Sequence, residues 1–125
     1  MKKWRSGEQQ VLAILNLQGY QLQDVSRQNV GYDLEGKTPS GEDIFIEVKS
    51  IDYPGQPFIL TSNEMAVAGE KKEKYMMAIV QQDAAILNLE MIPDPANQLE
   101  MTRKCRQWVW ECIRYEFSPQ TFLLE

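Results

Sequence analysis

The stretch Ile44-Phe45-Ile46-Glu47-Val48-Lys49 alternates without a break. Side chains along a strand point to opposite faces in turn. Ile44, Ile46 and Val48 therefore share one face, and Phe45, Glu47 and Lys49 the other. Just upstream, Val30, Tyr32 and Leu34 fall on one face while Asp33 and Glu35 fall on the opposite one. Thr38-Pro39-Ser40-Gly41, rich in turn formers, separates the two runs. The whole reads as a hairpin of Gly31 to Lys37 with Glu42 to Ser50. For both apolar sets to enter one core, paired positions must sum to an even number, because a one-residue slip turns every side chain over. A turn centred near Ser40 sets Leu34 opposite Ile46, Tyr32 opposite Val48, and Asp33 opposite Glu47.

Side chains directly opposite have Cβ atoms about 4.5–5.5 Å apart, and two carboxylates at that range repel. A cation between them removes the penalty. Magnesium suits the position, because it is a hard ion that takes oxygen from one or two carboxylates, with water and phosphate completing its shell. Lys49 lies two residues beyond Glu47 on the same face. Its ammonium is placed to orient or help deprotonate a water attacking phosphorus, and to offset the charge that develops. The same pattern also suits a solvated sheet face on which an Asp, a Glu and a Lys pair loosely. Glu8 favours the first alternative. It stands three and four residues before Val11 and Leu12, on the apolar stripe of the first helix, where an acid needs a partner. Its other explanation is a first-turn acid favoured by the helix dipole.

Outward from the hairpin, Ser6 to about Leu17 reads as a helix. Ser6 and Gln9 match a capping box, Val11, Leu12, Ile14 and Leu15 form the stripe, and Gly19 ends it. Tyr20 to Ser26 is a first strand. Pro54-Gly55-Gln56-Pro57 is a loop, and Phe58 to Leu60 a short strand. Thr61-Ser62-Asn63-Glu64 is a second capping box, opening a helix to about Lys72. Tyr75 to Gln81 and Ala85 to Met91 are strands, and Pro93-Asp94-Pro95 breaks the chain. Trp108 to Phe117 is rich in aromatic and β-branched residues and reads as a strand, although Cys105, Trp108, Cys112 and Tyr115 also fit a helical stripe. The order αβββαβ with further strands predicts an α/β domain, a mixed sheet flanked by helices, over residues 1–125.

The chain has 125 residues, 43% hydrophobic and 25% charged, as ordinary globular domains have. It contains no histidine, which removes His-based triads and most catalytic zinc sites. A net charge of −5 argues against strong unaided binding to a polyanion. Lys71, Lys72 and Lys74, and Arg103, Lys104, Arg106 and Arg114, are either solvated faces or a basic rim around an acidic centre. Cys105 and Cys112 form no CxxC pair and read as free thiols in a reducing compartment. No apolar run approaches the roughly 20 residues needed to span a bilayer, and the basic N-terminus is not followed by a signal core. The expectation is a cytoplasmic protein with no membrane contact.

At Glu8, Asn29-Val30-Gly31-Tyr32-Asp33-Leu34, Ile46-Glu47-Val48-Lys49 and Leu60-Thr61-Ser62-Asn63-Glu64, the chain resembles the C-terminal domain of the plant protein NO VEIN and its bacterial relatives. That family is placed in the PD-(D/E)XK nuclease superfamily. The resemblance runs from about Gly7 to Pro95. It implies a restriction-endonuclease-like fold and a DNA endonuclease that depends on magnesium, with manganese as a substitute, in defence or repair. Asp33 and Glu47 become metal ligands, with the carbonyl of Val48 as a further one. Lys49 becomes the catalytic lysine, and Glu8 an auxiliary acid on the first helix. Tyr32 holds the place of the proline in the superfamily's name. Relatives that sit beside helicases and ATPases imply such a partner, which fits a weak intrinsic grip on DNA. Asn63, Lys71 and Lys72 are candidates for touching substrate, while the spacing of Thr61 and Glu64 is accounted for by the helix cap. The alternatives are a catalytically silent nucleic-acid-binding module and a protein-interaction module or homodimer built through the aromatic tail. Trp108 and Trp110 cover the sheet by default, or serve such an interface or stack on bases.

Overall fold

The computed structural model describes residues 6–104 and 109–124. Helix α1 (Gly7–Leu17) starts at Ser6, whose hydroxyl accepts the Gln9 N–H at 3.3 Å. Strand β1 (Gln21–Asp24) is shorter than the sequence predicts. The Asp24 carboxylate accepts both the N–H and the hydroxyl of Ser26 at 2.9 and 2.6 Å, which turns the chain into a single 3₁₀ turn at Ser26–Gln28. Strands β2 (Leu34–Lys37) and β3 (Asp43–Ser50) follow, and the hairpin register is the expected one, with Leu34 opposite Ile46 and Lys37 opposite Asp43.

Strand β4 (Phe58–Thr61) leads directly into helix α2 (Ser62–Lys71). Strands β5 (Tyr75–Asp83) and β6 (Ile86–Pro93) form the longest antiparallel pair. The Pro-Asp-Pro break carries a four-residue helix, α3 (Pro95–Gln98), begun by a proline in its first turn, where a missing N–H does no harm. Strands β7 (Met101–Lys104), β8 (Val109–Cys112) and β9 (Gln120–Leu123) complete the described chain. The tail therefore forms a strand at Val109–Cys112 and not a helix, and irregular chain from Ile113 to Pro119 leads to β9. The expectations for Cys105, Arg106 and Trp108 lie outside the described residues.

Two sheets result. The larger is mixed, in the order β1-β2-β3-β5-β6-β9, with β3 and β5 parallel and α2 in the connection between them. The smaller, β4-β8-β7, is antiparallel. Each face of the large sheet has its own core. Leu34, Ile46, Val48, Ala78 and Leu89 pack with Val11 and Leu15 of α1 on one face. Met77, Ile79 and Ile92 pack with Phe58, Leu60 and Cys112 of the small sheet, and with Met65 of α2, on the other. No helix among the described residues is long and apolar enough to cross a membrane.

Candidate active site

Asp33 sits just before β2, where the chain leaves the ladder. Its N–H donates to the Ile46 carbonyl at 2.8 Å, and its own carbonyl accepts from Val25 N–H at 2.7 Å. The carboxylate then takes the Val48 N–H through Oδ2 at 2.9 Å. The expected backbone pairing of Asp33 with Glu47 and of Tyr32 with Val48 is not formed. A carboxylate is a stronger acceptor than a carbonyl, and here it satisfies the donor that the ladder would have used. A strand residue points its N–H and C=O to the same side, so the Val48 carbonyl faces the gap from which Asp33 reaches in.

Gly31 holds this loop in place. Its φ of +94° favours glycine, and a Cβ there would stand 2.8 Å from Val67 Cγ2 and 3.4 Å from Asn63 Nδ2 of α2. From below, the buried Tyr75 hydroxyl donates to the Gly31 carbonyl at 2.8 Å. The loop is thus pinned between α2 and β5.

Glu47 is only 3% exposed. In the β3–β5 register it lies beside Met77, and Lys49 beside Ile79, both members of the second core. The face carrying Phe45, Glu47 and Lys49 is therefore covered, not solvated. Glu47 Oε2 lies 3.2 Å from Lys49 Nζ, while its buried Oε1 has no hydrogen-bond partner among the described residues. Lys49 Nζ also donates to Glu64 Oε1 at 3.2 Å. The same Glu64 oxygen accepts the Thr61 N–H at 2.9 Å, and Thr61 Oγ1 accepts the Glu64 N–H at 3.1 Å.

The electrostatics follow from this burial. Loss of hydration pushes the Glu47 carboxyl up to about 9; Lys49 opposes this, and the nearby Glu64 and Asp33 add to it. Asp33 is likewise raised by burial, against the Val48 N–H that lowers it, with the charges of Glu8 and Glu64 adding to the rise. Burial pulls Lys49 down, but Glu47 and Glu64 outweigh it and hold the ammonium above its ordinary range. Asp33, Glu47, Lys49 and Glu64 thus act on one another as a single cluster.

Glu8, half-buried in the first turn of α1, stands at the margin of this cluster: its charge reaches Asp33, but it makes no hydrogen bond or ion pair among the described residues. Asn63 is exposed beside Gly31. Lys71 is engaged elsewhere, with its Nζ 4.0 Å from the centre of the Phe45 ring, which in turn lies 5.0 Å from Tyr32. Lys72 is exposed where α2 ends. Among the described residues, no three His, Cys, Asp or Glu side chains close into a ready metal cage. Trp110 packs against the second core from β8. Sequence patterns missed two members of the site. Tyr75 had no signal beyond opening a strand, and Glu64 was hidden by a cap that fully accounted for its spacing.

The family model described as Protein NO VEIN, C-terminal, matches residues 7–91, from the start of α1 into β6. The chain belongs to the NO VEIN C-terminal family. No curated protein gives a significant match. The matched segment of this NO VEIN C-terminal domain contains Glu8, Asp33, Glu47, Lys49, Glu64 and Tyr75, and therefore every member of the cluster. The strands β7 to β9 lie beyond it.

Proposed function

We propose that this NO VEIN C-terminal domain is a magnesium-dependent endonuclease of the PD-(D/E)XK superfamily, with a restriction-endonuclease-like core, that hydrolyses DNA phosphodiester bonds in the cytoplasm, in defence or repair. The observation that carries the proposal is Glu47: a buried carboxyl with one oxygen on Lys49 and the other without a hydrogen-bond partner among the described residues. Such an orphan acid is destabilising, and strongly perturbed acids of this kind gather at functional sites. The element order α1-β1-β2-β3-β4-α2-β5, with β4 in the second sheet and β3 parallel to β5, supports the superfamily arrangement.

The residues fit a hard cation. Glu47 Oε1 lacks a partner among the described residues, Asp33 commits Oδ2 to Val48, and by strand geometry the Val48 carbonyl faces the same gap. Asp33, Glu47 and that carbonyl would hold magnesium, or manganese in its place. Bound there, the ion supplies charge neutralisation at the phosphoryl oxygen and makes a nearby water more acidic. Lys49, anchored on two carboxylates, keeps an ammonium beside the reacting phosphate, where it orients the attacking water and offsets negative charge. Glu8, at the rim, is available to accept a proton. Asn63, exposed beside Gly31, and the exposed Lys72 would contact the DNA backbone weakly, and Lys71 would join them by leaving the Phe45 ring. The acidic net charge leaves targeting to a helicase or ATPase partner.

Supercoiled plasmid mixed with the protein and magnesium is expected to be nicked, and Lys49→Ala is expected to nick about 100-fold more slowly. No nicking with either metal sinks the proposal. DNA retardation without cleavage, unchanged in Glu47→Ala, points to a binding module instead.

Metal uptake should also depend on pH. In the metal-free protein Glu47 keeps its proton up to about 9, so the ion must displace it. Between pH 6 and 8 the apparent magnesium affinity should rise about tenfold per unit, or about 100-fold in all. Calorimetric titration that gives one affinity across this range counts against Glu47 as a ligand.

A further inference from the structure

We infer that Glu64 is the residue that positions Lys49 for the reaction, an inference that rests on the nuclease proposal above. A glutamate at the third position of a helix needs only the backbone N–H of the capping residue to complete its box. Glu64 does more. Its side chain is only 17% exposed, and the oxygen that caps Thr61 also receives Lys49 Nζ, from a strand 15 residues away in sequence, at 3.2 Å. The cap bond fixes the carboxylate, so Lys49 meets an anchor that is already set.

Lysine has a flexible four-carbon stem and three donors on its ammonium. Two of these donors are directed to Glu47 Oε2 and Glu64 Oε1. Glu47 has a second duty as metal ligand, and a cation beside it weakens its pull on Lys49. Glu64 is not one of the proposed ligands, so its hold on the ammonium is not shared with the ion, and the third donor remains for the phosphate. The anchor also stands on the right element. Through Asn63 and Val67, α2 abuts Gly31, two residues before Asp33, and Tyr75 pins Gly31 from below. A shift of α2 would move Asp33 and Lys49 together.

Charge and cap are separable. Glu64→Gln keeps the capping box, since glutamine serves at this position, but removes the negative charge. Thr61→Ala removes the hydroxyl half of the cap and leaves the carboxylate. On plasmid with magnesium, Glu64→Gln should lower kcat about tenfold or more with KM for DNA within twofold of wild type. Thr61→Ala should melt a few degrees lower and keep the wild-type kcat. A merely structural Glu64 gives the reverse ranking, with activity following melting temperature in both variants. A wild type that cleaves, beside a Glu64→Gln variant within twofold of its kcat, overturns the inference and leaves the nuclease proposal standing. A wild type that does not cleave removes the reaction, and the anchoring is then read directly. The Lys49 ammonium should give a dispersed nitrogen–proton NMR signal in the wild type that moves toward, though not fully to, the free-lysine position in Glu64→Gln, because Glu47 still holds one donor. A signal unmoved by the substitution also overturns it.

Discussion

Glu47→Gln is expected to abolish cleavage and at the same time make the metal-free protein harder to melt. The loss of activity should be about 10³-fold or more, because an amide neither balances a divalent cation nor replaces a carboxylate in holding it. The stability change runs the other way. Burial raises the Glu47 carboxyl from its ordinary 4.5 to about 9, so the folded chain binds a proton that the unfolded chain releases. The stability tied to that proton is fully present below about pH 4.5 and is lost as pH rises through about 9. Glutamine keeps the shape and has no proton to lose. The variant should lie close to wild type near pH 5 and exceed it by up to about 4 kcal/mol near pH 8, in chelator. Saturating magnesium should narrow or reverse the gap, because only the wild type gains from binding. Scanning calorimetry across pH 5–8 measures all three. A variant that melts lower than wild type at pH 8 without metal would show that Glu47 holds the fold together rather than straining it.

Much of the framework is legible in local sequence, because local physics decides it. Alternation in residues 44–49 and the turn formers at 38–41 set the Leu34–Ile46 register, and side-chain oxygens at Ser6 and Thr61 begin the two longer helices. Three features escape such an analysis, and each depends on residues distant in sequence. The Phe45, Glu47 and Lys49 face resembles a solvated one until β4 and the distant β8 bring Phe58, Leu60, Cys112 and Trp110 onto Met77 and Ile79, the neighbours of Glu47 and Lys49 in the sheet. Asp33 leaves the ladder only because its own side chain finds the Val48 N–H. Glu64 looks complete as a cap, and nothing within its helix reveals the bond to Lys49. The aromatic tail fits period 2 and period 3.6 alike, and pairing of Val109–Cys112 with both β4 and β7 settles it. The acids and amine were thus identifiable as residue types at a spacing, whereas their burial and mutual anchoring belong to tertiary structure.

Gly36→Ala should undo the fold that carries these groups. Gly36 sits in β2 between Leu22 of β1 and Ile44 of β3. A Cβ built there would fall inside the envelope of the Gln21 carbonyl and stand 2.9 Å from Leu22 Cα. Both obstacles are backbone, so no rotamer change relieves them. β1 must separate from β2, and its hydrogen bonds to β2 go with it. The adjoining bond from Val25 N–H to the Asp33 carbonyl is then strained as well. Overpacking against fixed backbone costs about 3 kcal/mol or more, which for a chain of this size lowers the melting temperature by roughly 10 °C. Gly69→Ala is the matched control. It adds the same methyl group on α2, where nothing lies within 4 Å, and in a helix it should stabilise by about 0.5–1 kcal/mol. The opposite signs separate a glycine required by close strand approach from one merely tolerated. If Gly36→Ala melts within a few degrees of wild type, β1 is held too loosely to brace Asp33, and the support for the carboxylate must come from Val48 and Tyr75 alone.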